Sequence, residues 1–229
     1  MSDGKKLNFY KKETAGKKTG KFVKYAFIAL AAFGITLLLL SGLNSGRQKE
    51  SLSGNVPFPE LSENGTKVVF VEFSDFECPY CARAQGTVSA LKAEYAGRVN
   101  FVFKHFPIHG ATAEKAAEAT ECARDQGLFE PYHLLVFENY NSLTVQKLKD
   151  FSGRVGADIA LFSSCLDSGQ KSEAVRADYN KATSLGIRAT PTFFVNGKKI
   201  EGAVDISEFR KAINSELVLL VSRVPEESK

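Results

Sequence analysis

Hydrophobic and polar positions along residues 67–103 predict a β-α-β unit. After Lys67 comes a short apolar run, VVFVEF, rich in β-branched and aromatic residues, which is typical of a strand buried on both faces. Apolar side chains then recur from Cys81 to Tyr95 at spacings of three and four, as they do on one face of an amphipathic helix. A second strand follows over residues 99–103, and a helix between two strands favours parallel pairing.

A long helical block separates this unit from a second β-rich segment. Its helix-period patterns are separated by glycines and predict helices at residues 111–125, 128–139, 144–155, 158–166 and 173–185. Strand patterns return at residues 192–195 and 198–201, and the Asn-Gly dipeptide between them predicts a tight hairpin. Asp205 can then cap the start of a final amphipathic helix.

The amino-terminal part of the chain has the pattern of a membrane anchor. Residues 25–43 form a mostly apolar run without a charge, close to the ~20 residues that span a hydrocarbon core. A lysine-rich tail at residues 1–24 precedes this run, so the positive-inside rule places the tail in the cytoplasm and the rest of the chain outside. Residues 44–65 are rich in Ser, Asn, Gly and Pro and are predicted to be a flexible linker.

Two other interpretations of residues 25–43 stay open. A cleaved signal peptide would have a shorter apolar stretch of ~7–15 residues and an A-x-A-like site, which the sequence after Ser41 lacks. A buried core helix is the second alternative. An anchor and a signal peptide would both deliver the folded part to an oxidising space outside the cytoplasm.

Composition and charge exclude several classes of function. The 229-residue chain has a formal net charge of +4, but residues 1–24 contain eight lysines and two acidic residues, so the remaining chain is slightly acidic. The basic character belongs to the tail, and no nucleic-acid partner is predicted. No Gly-rich phosphate loop, serine nucleophile elbow or paired-carboxylate motif is present in the sequence, and no cofactor is predicted.

The sequence Cys78-Pro79-Tyr80-Cys81 is the strongest chemical signal in the chain. It lies between a predicted strand and a predicted helix, so Cys78 falls at a helix N-terminus, where the helix dipole and free N–H groups favour a thiolate. Such motifs lower a thiol pKa from ~8.5 to between ~3.5 and ~7.5. We expect an exposed Cys78 that acts as the nucleophile and a more buried Cys81 that resolves the mixed disulfide.

Two structural interpretations of this motif compete with redox activity. The cysteines could form a permanent disulfide, or they could join His105 and His109 in a zinc site. The zinc interpretation needs an unusual spacing, because 23 residues separate Cys81 from His105 against the usual ~12–15. No metal site is therefore predicted.

Residues 71–81 (VEFSDFECPYC), the helical block and residues 190–197 (TPTFFVNG) together resemble the DsbA-type thiol–disulfide oxidoreductases of the thioredoxin superfamily. The resemblance covers roughly residues 65–215. It implies an α/β architecture with a thioredoxin fold, and the apolar run at residues 25–43 adds one transmembrane helix ahead of it. The implied thioredoxin-fold domain consists of residues 66–106 and 187–218, with a helical insertion domain at residues 107–186.

The resemblance also assigns roles to individual residues. Cys78 and Cys81 match the redox pair of the family. Pro191 matches a cis-proline beside that pair, and Thr190 matches the preceding residue, whose backbone contacts the substrate peptide. Glu72 matches a buried acid that relays protons for the inner cysteine. Considered without the resemblance, Glu72 could be a solvated acid and Pro191 an ordinary trans turn proline.

The residues between the two cysteines, Pro79 and Tyr80, are expected to take part in substrate binding. We expect Phe76 and Tyr80 to pack at the rim of the site. The dipeptide is Pro-Tyr, as in glutaredoxins, whereas strongly oxidising members of the family have Pro-His. A histidine can stabilise a neighbouring thiolate by its charge, and a tyrosine cannot do so at neutral pH.

The remaining cysteines, Cys122 and Cys165, both lie in the helical block. Outside the cytoplasm an even number of cysteines favours pairing, and closing a loop of ~44 residues stabilises a fold by ~4 kcal/mol in the chain-entropy model. Free thiols or a second redox relay are the alternatives. His133 is expected to be a partly buried packing residue within a helix.

We therefore predict an enzyme that exchanges disulfides with cysteine-containing folding proteins on the extracytoplasmic side of the cell membrane, in the first place as an oxidase. A single membrane span with its amino terminus in the cytoplasm would hold the enzyme on that side of the membrane. We expect the enzyme to be a monomer. The resemblance implies reoxidation by a DsbB-like or VKOR-like membrane protein. A disulfide reductase or isomerase, and a non-catalytic peptide-binding module with a thioredoxin-like fold, are the alternatives.

Overall fold

The computed structural model describes residues 67–223 of the chain, and these residues form four strands and seven α-helices. The strands are β1 (Val68–Ser74), β2 (Val99–His105), β3 (Thr192–Val195) and β4 (Lys198–Glu201). The helices are α1 (Pro79–Glu94), α2 (Ala111–Asp125), α3 (Phe129–Glu138), α4 (Val145–Arg154), α5 (Ile159–Asp167), α6 (Ser172–Ser184) and α7 (Ile206–Arg223). Every predicted strand and helix within these residues is confirmed to within two residues at each predicted end; for the last helix only the start was predicted.

The predicted tail (1–24), transmembrane anchor (25–43) and linker (44–65) lie outside the described residues. Between residues 67 and 223, the structure has no helix that combines the length and the apolar character needed to span a bilayer.

The four strands form one sheet in the order β2-β1-β3-β4. Strand β1 pairs with β2 in parallel, as the β-α-β pattern predicts, and β3 is antiparallel to both β1 and β4. The β3–β4 turn consists of Asn196 and Gly197, both with positive φ angles (46° and 88°), which is the geometry that an Asn-Gly hairpin requires. All seven residues of β1 are buried, because β1 is central in the sheet and both of its faces are covered.

Helices cover the two faces of the sheet with separate apolar cores. On one face, Phe70 and Phe193 pack against Phe209 of α7 and Leu91 of α1. On the other face, strand residues with the opposite orientation, among them Val71, pack with residues of α6 and the segment that follows it. The β-rich segments before and after the helical block therefore meet at β1. The carboxyl end of β1 leads directly to the Cys78–Cys81 motif.

Helices α2 to α6 lie between β2 and β3 in the sequence and are called the helical insertion below. They form a third core. Tyr132 is completely buried in it and donates a hydrogen bond of 2.8 Å to the carbonyl oxygen of Leu148, which joins α3 to α4. Cys122 of α2 and Cys165 of α5 are joined by a disulfide, with their Cα atoms 6.0 Å apart. The same core includes Cys78 and Cys81, so the insertion packs directly against the motif.

Candidate active site

The motif begins at the N-terminus of α1, in the position that its sequence predicts. Cys78 is the N-cap residue, with an extended backbone (φ −82°, ψ 119°), and Pro79 follows as the first helical residue. Proline suits that position because its missing N–H would have no partner within the helix. No side chain caps the helix, so the free N–H groups of its first turn are available to the Cys78 sulfur.

Cys78 has the electrostatic environment of a stable thiolate. A hydrogen bond from the Cys81 thiol is the largest influence on it; burial opposes this effect, and Thr190 and the backbone N–H groups of Cys81 and Tyr80 add to it. Together these contacts lower the pKa of the Cys78 thiol to about 5. A group with this pKa is ionised at neutral pH.

The prediction that Cys78 is exposed is wrong. Only 3% of the residue is accessible to solvent, because it packs against the core of the helical insertion. Its sulfur lies 3.4 Å from the carbonyl oxygen of Thr190, which covers it from the other side.

Cys81 is buried like Cys78, but the pKa of its thiol is shifted in the opposite direction. It is fully buried one turn into α1, and burial raises the pKa of its thiol far above the ordinary value, as does its hydrogen bond to Cys78. The backbone N–H of Asp75 lies 3.5 Å from its sulfur, and the Ser74 side chain also contacts it. Both cysteines are unbonded in the structure, so the pair is in its dithiol form.

Glu72 is a buried acid beneath this pair. The residue is 3% exposed, and one of its carboxylate oxygens, Oε1, accepts hydrogen bonds of 2.8 Å from both Ser74 Oγ and Gln85 Nε2. Burial raises the pKa of Glu72 to about 7, even though both hydrogen bonds favour the ionised form. The alternative of a solvated acid at the strand end is therefore wrong, and this carboxyl group can exchange a proton near neutral pH.

A cleft of about 490 Å³ connects the surroundings of Glu72 to the surface. Lys92 and Glu130 line it and form an ion pair of 2.7 Å. Phe103, on the edge strand β2, contributes an apolar wall. Glu72 thus lies between the inner cysteine, which it reaches through Ser74, and a space that can hold water.

The predicted substrate-binding residues lie next to Cys78, Thr190 in space and Pro79 and Tyr80 in sequence. The Thr190–Pro191 peptide bond is cis, so the prediction of a cis-proline is confirmed and the alternative of an ordinary trans proline is wrong. Pro79 and Tyr80 are exposed, and the guanidinium carbon of Arg83 lies 4.7 Å above the centre of the Tyr80 ring.

Phe76 does not lie at the rim, contrary to expectation. It is buried, and the centroid of its ring lies 4.5 Å from that of Phe137 in the helical insertion. His133 is also more buried than expected: it is 1% exposed, and neither of its ring nitrogens has a hydrogen-bond partner. The two rings pack edge to face, with centroids 5.7 Å apart.

The two histidines considered for zinc are held by carboxylates from different elements. His105 Nε2 lies 2.8 Å from Glu121 Oε1 on α2, and His109 Nδ1 lies 2.9 Å from Asp75 Oδ2 in the β1–α1 loop. In the part of the chain that the structure describes, no group of three or more His, Cys, Asp or Glu side chains is arranged to hold a metal ion.

The sequence analysis missed three residues near the cysteines, Ser74, Asp75 and Gln85, and it missed the contact of His109 with Asp75. Gln85 follows Cys81 by four positions and so lies on the same face of α1, a spacing that could have indicated it. Ser74 and Asp75 directly precede the motif, but their polar character alone is typical of a loop. His109 lies 34 residues from its partner Asp75, and no local pattern connects them.

Comparison with protein families and solved structures gives two related findings. A family model described as Thioredoxin matches residues 62–215. A thioredoxin-like oxidoreductase from Silicibacter pomeroyi has 27% sequence identity and a TM-score of 0.58, over 66% of this chain and 88% of its own. BdbD from Bacillus subtilis, in its oxidised form, has 26% identity and a TM-score of 0.63, over 69% of this chain and 91% of its own.

Similarity to curated proteins extends over only a part of each of them. The Na(+)/H(+) antiporter NhaA of Herminiimonas arsenicoxydans is 37% identical over 139 residues, which are 61% of this chain and 22% of the antiporter. The chain spans about a quarter of the length of the curated relatives that it matches.

Proposed function

The chain belongs to the thioredoxin family, and on this premise we propose that it is a DsbA-like thiol–disulfide oxidoreductase whose Cys78–Cys81 pair oxidises the thiols of proteins that fold outside the cytoplasm. The observation that carries the proposal is the opposite shift of the two thiols. The pKa of Cys78 is lowered to about 5, while that of Cys81, three residues away, is raised. A stabilised Cys78 thiolate favours the dithiol form, so the corresponding disulfide is a good oxidant.

The oxidation proceeds in two exchange steps. A substrate thiolate attacks Cys78 Sγ in the Cys78–Cys81 disulfide, a bond forms between the two sulfurs, and Cys81 leaves and takes up a proton. A second substrate thiolate then attacks the substrate sulfur of this mixed disulfide and displaces Cys78 as a thiolate. Two electrons pass from the substrate dithiol to the enzyme, and the substrate gains one disulfide.

Glu72 supplies the proton that Cys81 needs in the first step. Its pKa of about 7 means that the protonated form is populated at neutral pH. Ser74 contacts both the Cys81 thiol and the Glu72 carboxylate, so its hydroxyl group can pass the proton from one to the other. The cleft beside Lys92 then allows Glu72 to recover a proton from solvent.

The substrate binds as an extended segment beside the cis-proline. The Thr190 backbone lies next to the Cys78 sulfur and offers polar groups to the main chain of a peptide. The exposed Pro79 and Tyr80 follow Cys78 at the start of α1 and add accessible surface for the substrate. Because these contacts involve mostly backbone and apolar surface, they suit many cysteine-containing sequences.

The direction of the reaction follows from its location. The Cys122–Cys165 disulfide in the helical insertion favours an oxidising compartment, where structural disulfides persist. Residues 25–43 would anchor the enzyme in the cell membrane with its catalytic part outside. A DsbB-like or VKOR-like reoxidase in the same membrane would then meet it at a high effective concentration.

Two measurements test the proposal. A Cys81→Ala variant should accumulate mixed disulfides between Cys78 and substrate proteins, and a Cys78→Ala variant should accumulate none. The equilibrium of the pair with glutathione should give a potential near about −120 mV, as for an oxidase; a value near about −270 mV would instead indicate a reductase. If no mixed disulfide forms and the pair does not equilibrate with glutathione, the chain is a non-catalytic module.

A further inference from the structure

A histidine on the β2–α2 connection is attached to the active-site loop by a single buried carboxylate. The Asp75 side chain is completely buried, and its Oδ2 accepts hydrogen bonds from the backbone N–H groups of Ile108 (2.6 Å) and His109 (2.9 Å). The same oxygen lies 2.9 Å from Nδ1 of the His109 ring. Its other oxygen, Oδ1, accepts a bond of 2.8 Å from the N–H of Glu77.

Asp75 also contacts both cysteines of the redox pair through its backbone. Its carbonyl oxygen accepts a hydrogen bond of 3.1 Å from the N–H of Cys78, and its own N–H lies 3.5 Å from Cys81 Sγ. Asp75 therefore contacts His109 through its side chain and both cysteines through its backbone, so it sets their relative positions. The His109 side chain remains 42% exposed, so its protonation can respond to the solvent.

The charges around His109 favour its protonated form. Burial alone disfavours the imidazolium, but the hydrogen bond and negative charge of Asp75, with the charges of Cys78 and Glu77, outweigh burial and raise the pKa of His109. The acid in the first turn of α2, Glu114, lines a separate cleft with Arg176. The negative groups whose charges act on His109 are thus the carboxylates of Asp75 and Glu77 and the Cys78 thiolate, and of these Asp75 is in direct contact with the ring.

We propose that His109, oriented by Asp75, is a positioning residue that supplies a positive charge to the Cys78 thiolate and thereby makes the Cys78–Cys81 disulfide more oxidising. The inference rests on the proposed thiol–disulfide exchange at this pair. In the motif itself no residue between the cysteines carries a positive charge, because the dipeptide is Pro79-Tyr80. The charge comes instead from a segment that follows β2.

The redox balance defines the expected effect. One glutathione disulfide, the Cys78 thiolate, the Cys81 thiol and one proton give the Cys78–Cys81 disulfide and two molecules of glutathione. The thiolate exists only on the dithiol side of this equation. A cation beside it therefore stabilises the dithiol and shifts the equilibrium against oxidation by glutathione disulfide. Loss of the cation, by mutation or by a rise in pH, should have the opposite effect.

The test compares His109→Gln and His109→Lys in the full chain, with Lys149→Gln as a matched control. Lys149 is an α4 cation paired with an acid of the helical insertion, Asp167, so its variant also loses one positive charge. For each protein, the equilibrium constant with glutathione is measured at about pH 6 and about pH 8, where a histidine changes its charge. The Cys78 pKa is measured from the ultraviolet absorbance of the thiolate.

The His109→Gln variant should have a higher Cys78 pKa at acidic pH and should be about twofold to fivefold less oxidising than the wild type, the range expected for a partly solvated charge pair. The His109→Lys variant should be as oxidising as the wild type at acidic pH. Because a lysine stays charged at both pH values, this variant should not show the loss of oxidising strength that deprotonation of the histidine causes. Lys149→Gln should match the wild type. Because the reaction consumes one proton in every protein, the readout is the difference in pH dependence between the wild type and the two His109 variants, and each variant tests the inference separately.

Two results would overturn the inference. One is a His109→Gln variant whose equilibrium constants with glutathione equal those of the wild type at both pH values. The other is a His109→Lys variant that behaves like His109→Gln, because a purely structural role of the imidazole would be lost equally in both variants. Either result leaves the proposed function in place as long as the wild-type pair equilibrates with glutathione. A wild-type pair that does not equilibrate at all contradicts the proposed function, and with it the inference.

Discussion

Gln85 donates a buried hydrogen bond of 2.8 Å to Glu72, and the same amide nitrogen lies 3.3 Å from the carbonyl oxygen of Cys81. The first turns of α1 and the centre of β1 are thus joined by one side chain at the point where the proposed proton transfer takes place. Because the amide cannot ionise, it stabilises the Glu72 carboxylate without competing for its proton. The arrangement leaves Glu72 as the group that titrates beneath the inner cysteine.

Replacing Glu72 by glutamine should stabilise the protein above neutral pH. The folded-state pKa of about 7 exceeds the ordinary value of 4.5, so the folded protein binds the proton more tightly than the unfolded chain. Wild-type stability should therefore decline as the pH rises from about 4.5 to about 7, by about 3 kcal/mol at most. Glu72→Gln should lose this decline in chemical unfolding experiments, and its exchange rate with substrate should fall. The control is Glu130→Gln, at the exposed mouth of the same cleft; if Glu72→Gln keeps the wild-type pH dependence, Glu72 is not the titrating group.

Replacing Gln85 by leucine should shift the pH dependence of disulfide exchange upward. The variant loses a hydrogen bond to the ionised form of Glu72, which is worth about 1.5–3 kcal/mol for a charged acceptor and so raises the Glu72 pKa by about 1–2 units. The rate of disulfide exchange measured against pH gives the midpoint. Gln146→Leu, which removes an exposed hydrogen bond to Asp150, is the matched control. An unchanged midpoint in Gln85→Leu would show that this bond does not tune the acid.

The two thiols of the reduced protein should react with an alkylating reagent at very different rates. The pKa of about 5 predicts that Cys78 reacts at about pH 6, where an ordinary thiol with a pKa of ~8.5 is almost unreactive. Cys81 should stay unmodified, because its pKa is raised and its side chain is buried. Mass spectrometry of peptides identifies the modified residue. In Cys81→Ala the reaction of Cys78 at this pH should slow, since its strongest hydrogen bond is lost; equal rates in the two proteins would contradict that assignment.

Removing the Cys122–Cys165 disulfide should destabilise the helical insertion without altering the redox pair. The sequence separation of 43 residues predicts a loss of about 4 kcal/mol in the free energy of unfolding, mainly because the unfolded chain regains loop entropy. The double variant Cys122→Ala/Cys165→Ala and the wild type are compared by denaturant unfolding under oxidising conditions. The glutathione equilibrium of the Cys78–Cys81 pair is the internal control and should not change. A shift of that equilibrium would indicate instead that the two disulfides are coupled.

His133 should make the protein sensitive to acid. It lies among the rings of Phe103, Phe129 and Phe137, with centroid distances of 4.6, 5.2 and 4.9 Å, and burial is the main reason that its pKa is well below the ordinary value of 6.5. The unfolded chain therefore binds a proton that the folded protein excludes. Stability should fall below about pH 6.5 by up to about 1.4 kcal/mol for each pH unit, and His133→Phe should reduce this fall. An identical acid dependence in that variant would assign the effect to another group.

Much of the fold could be predicted because its signals are local. The strand β1 shows itself as a continuous apolar run, α1 as a spacing of three and four residues from Cys81, and the β3–β4 turn as an Asn-Gly dipeptide. Each of these patterns depends on the dihedral preferences and burial of residues that are neighbours in sequence. The position of Cys78 at the helix N-terminus, and hence its thiolate character, belongs to the same class.

The amino-acid sequence by itself therefore determined the strands, the helices and the location of the reactive sulfur. Only the tertiary structure decided that Cys78 is covered, that Gln85 and Ser74 meet at Glu72, and that Asp75 holds His109 across 34 residues. These contacts depend on how separate elements pack, and packing brings together residues whose separation along the chain leaves no periodic trace. A polar residue in a loop is equally compatible with solvent, and burial against a particular partner gives it its chemical role.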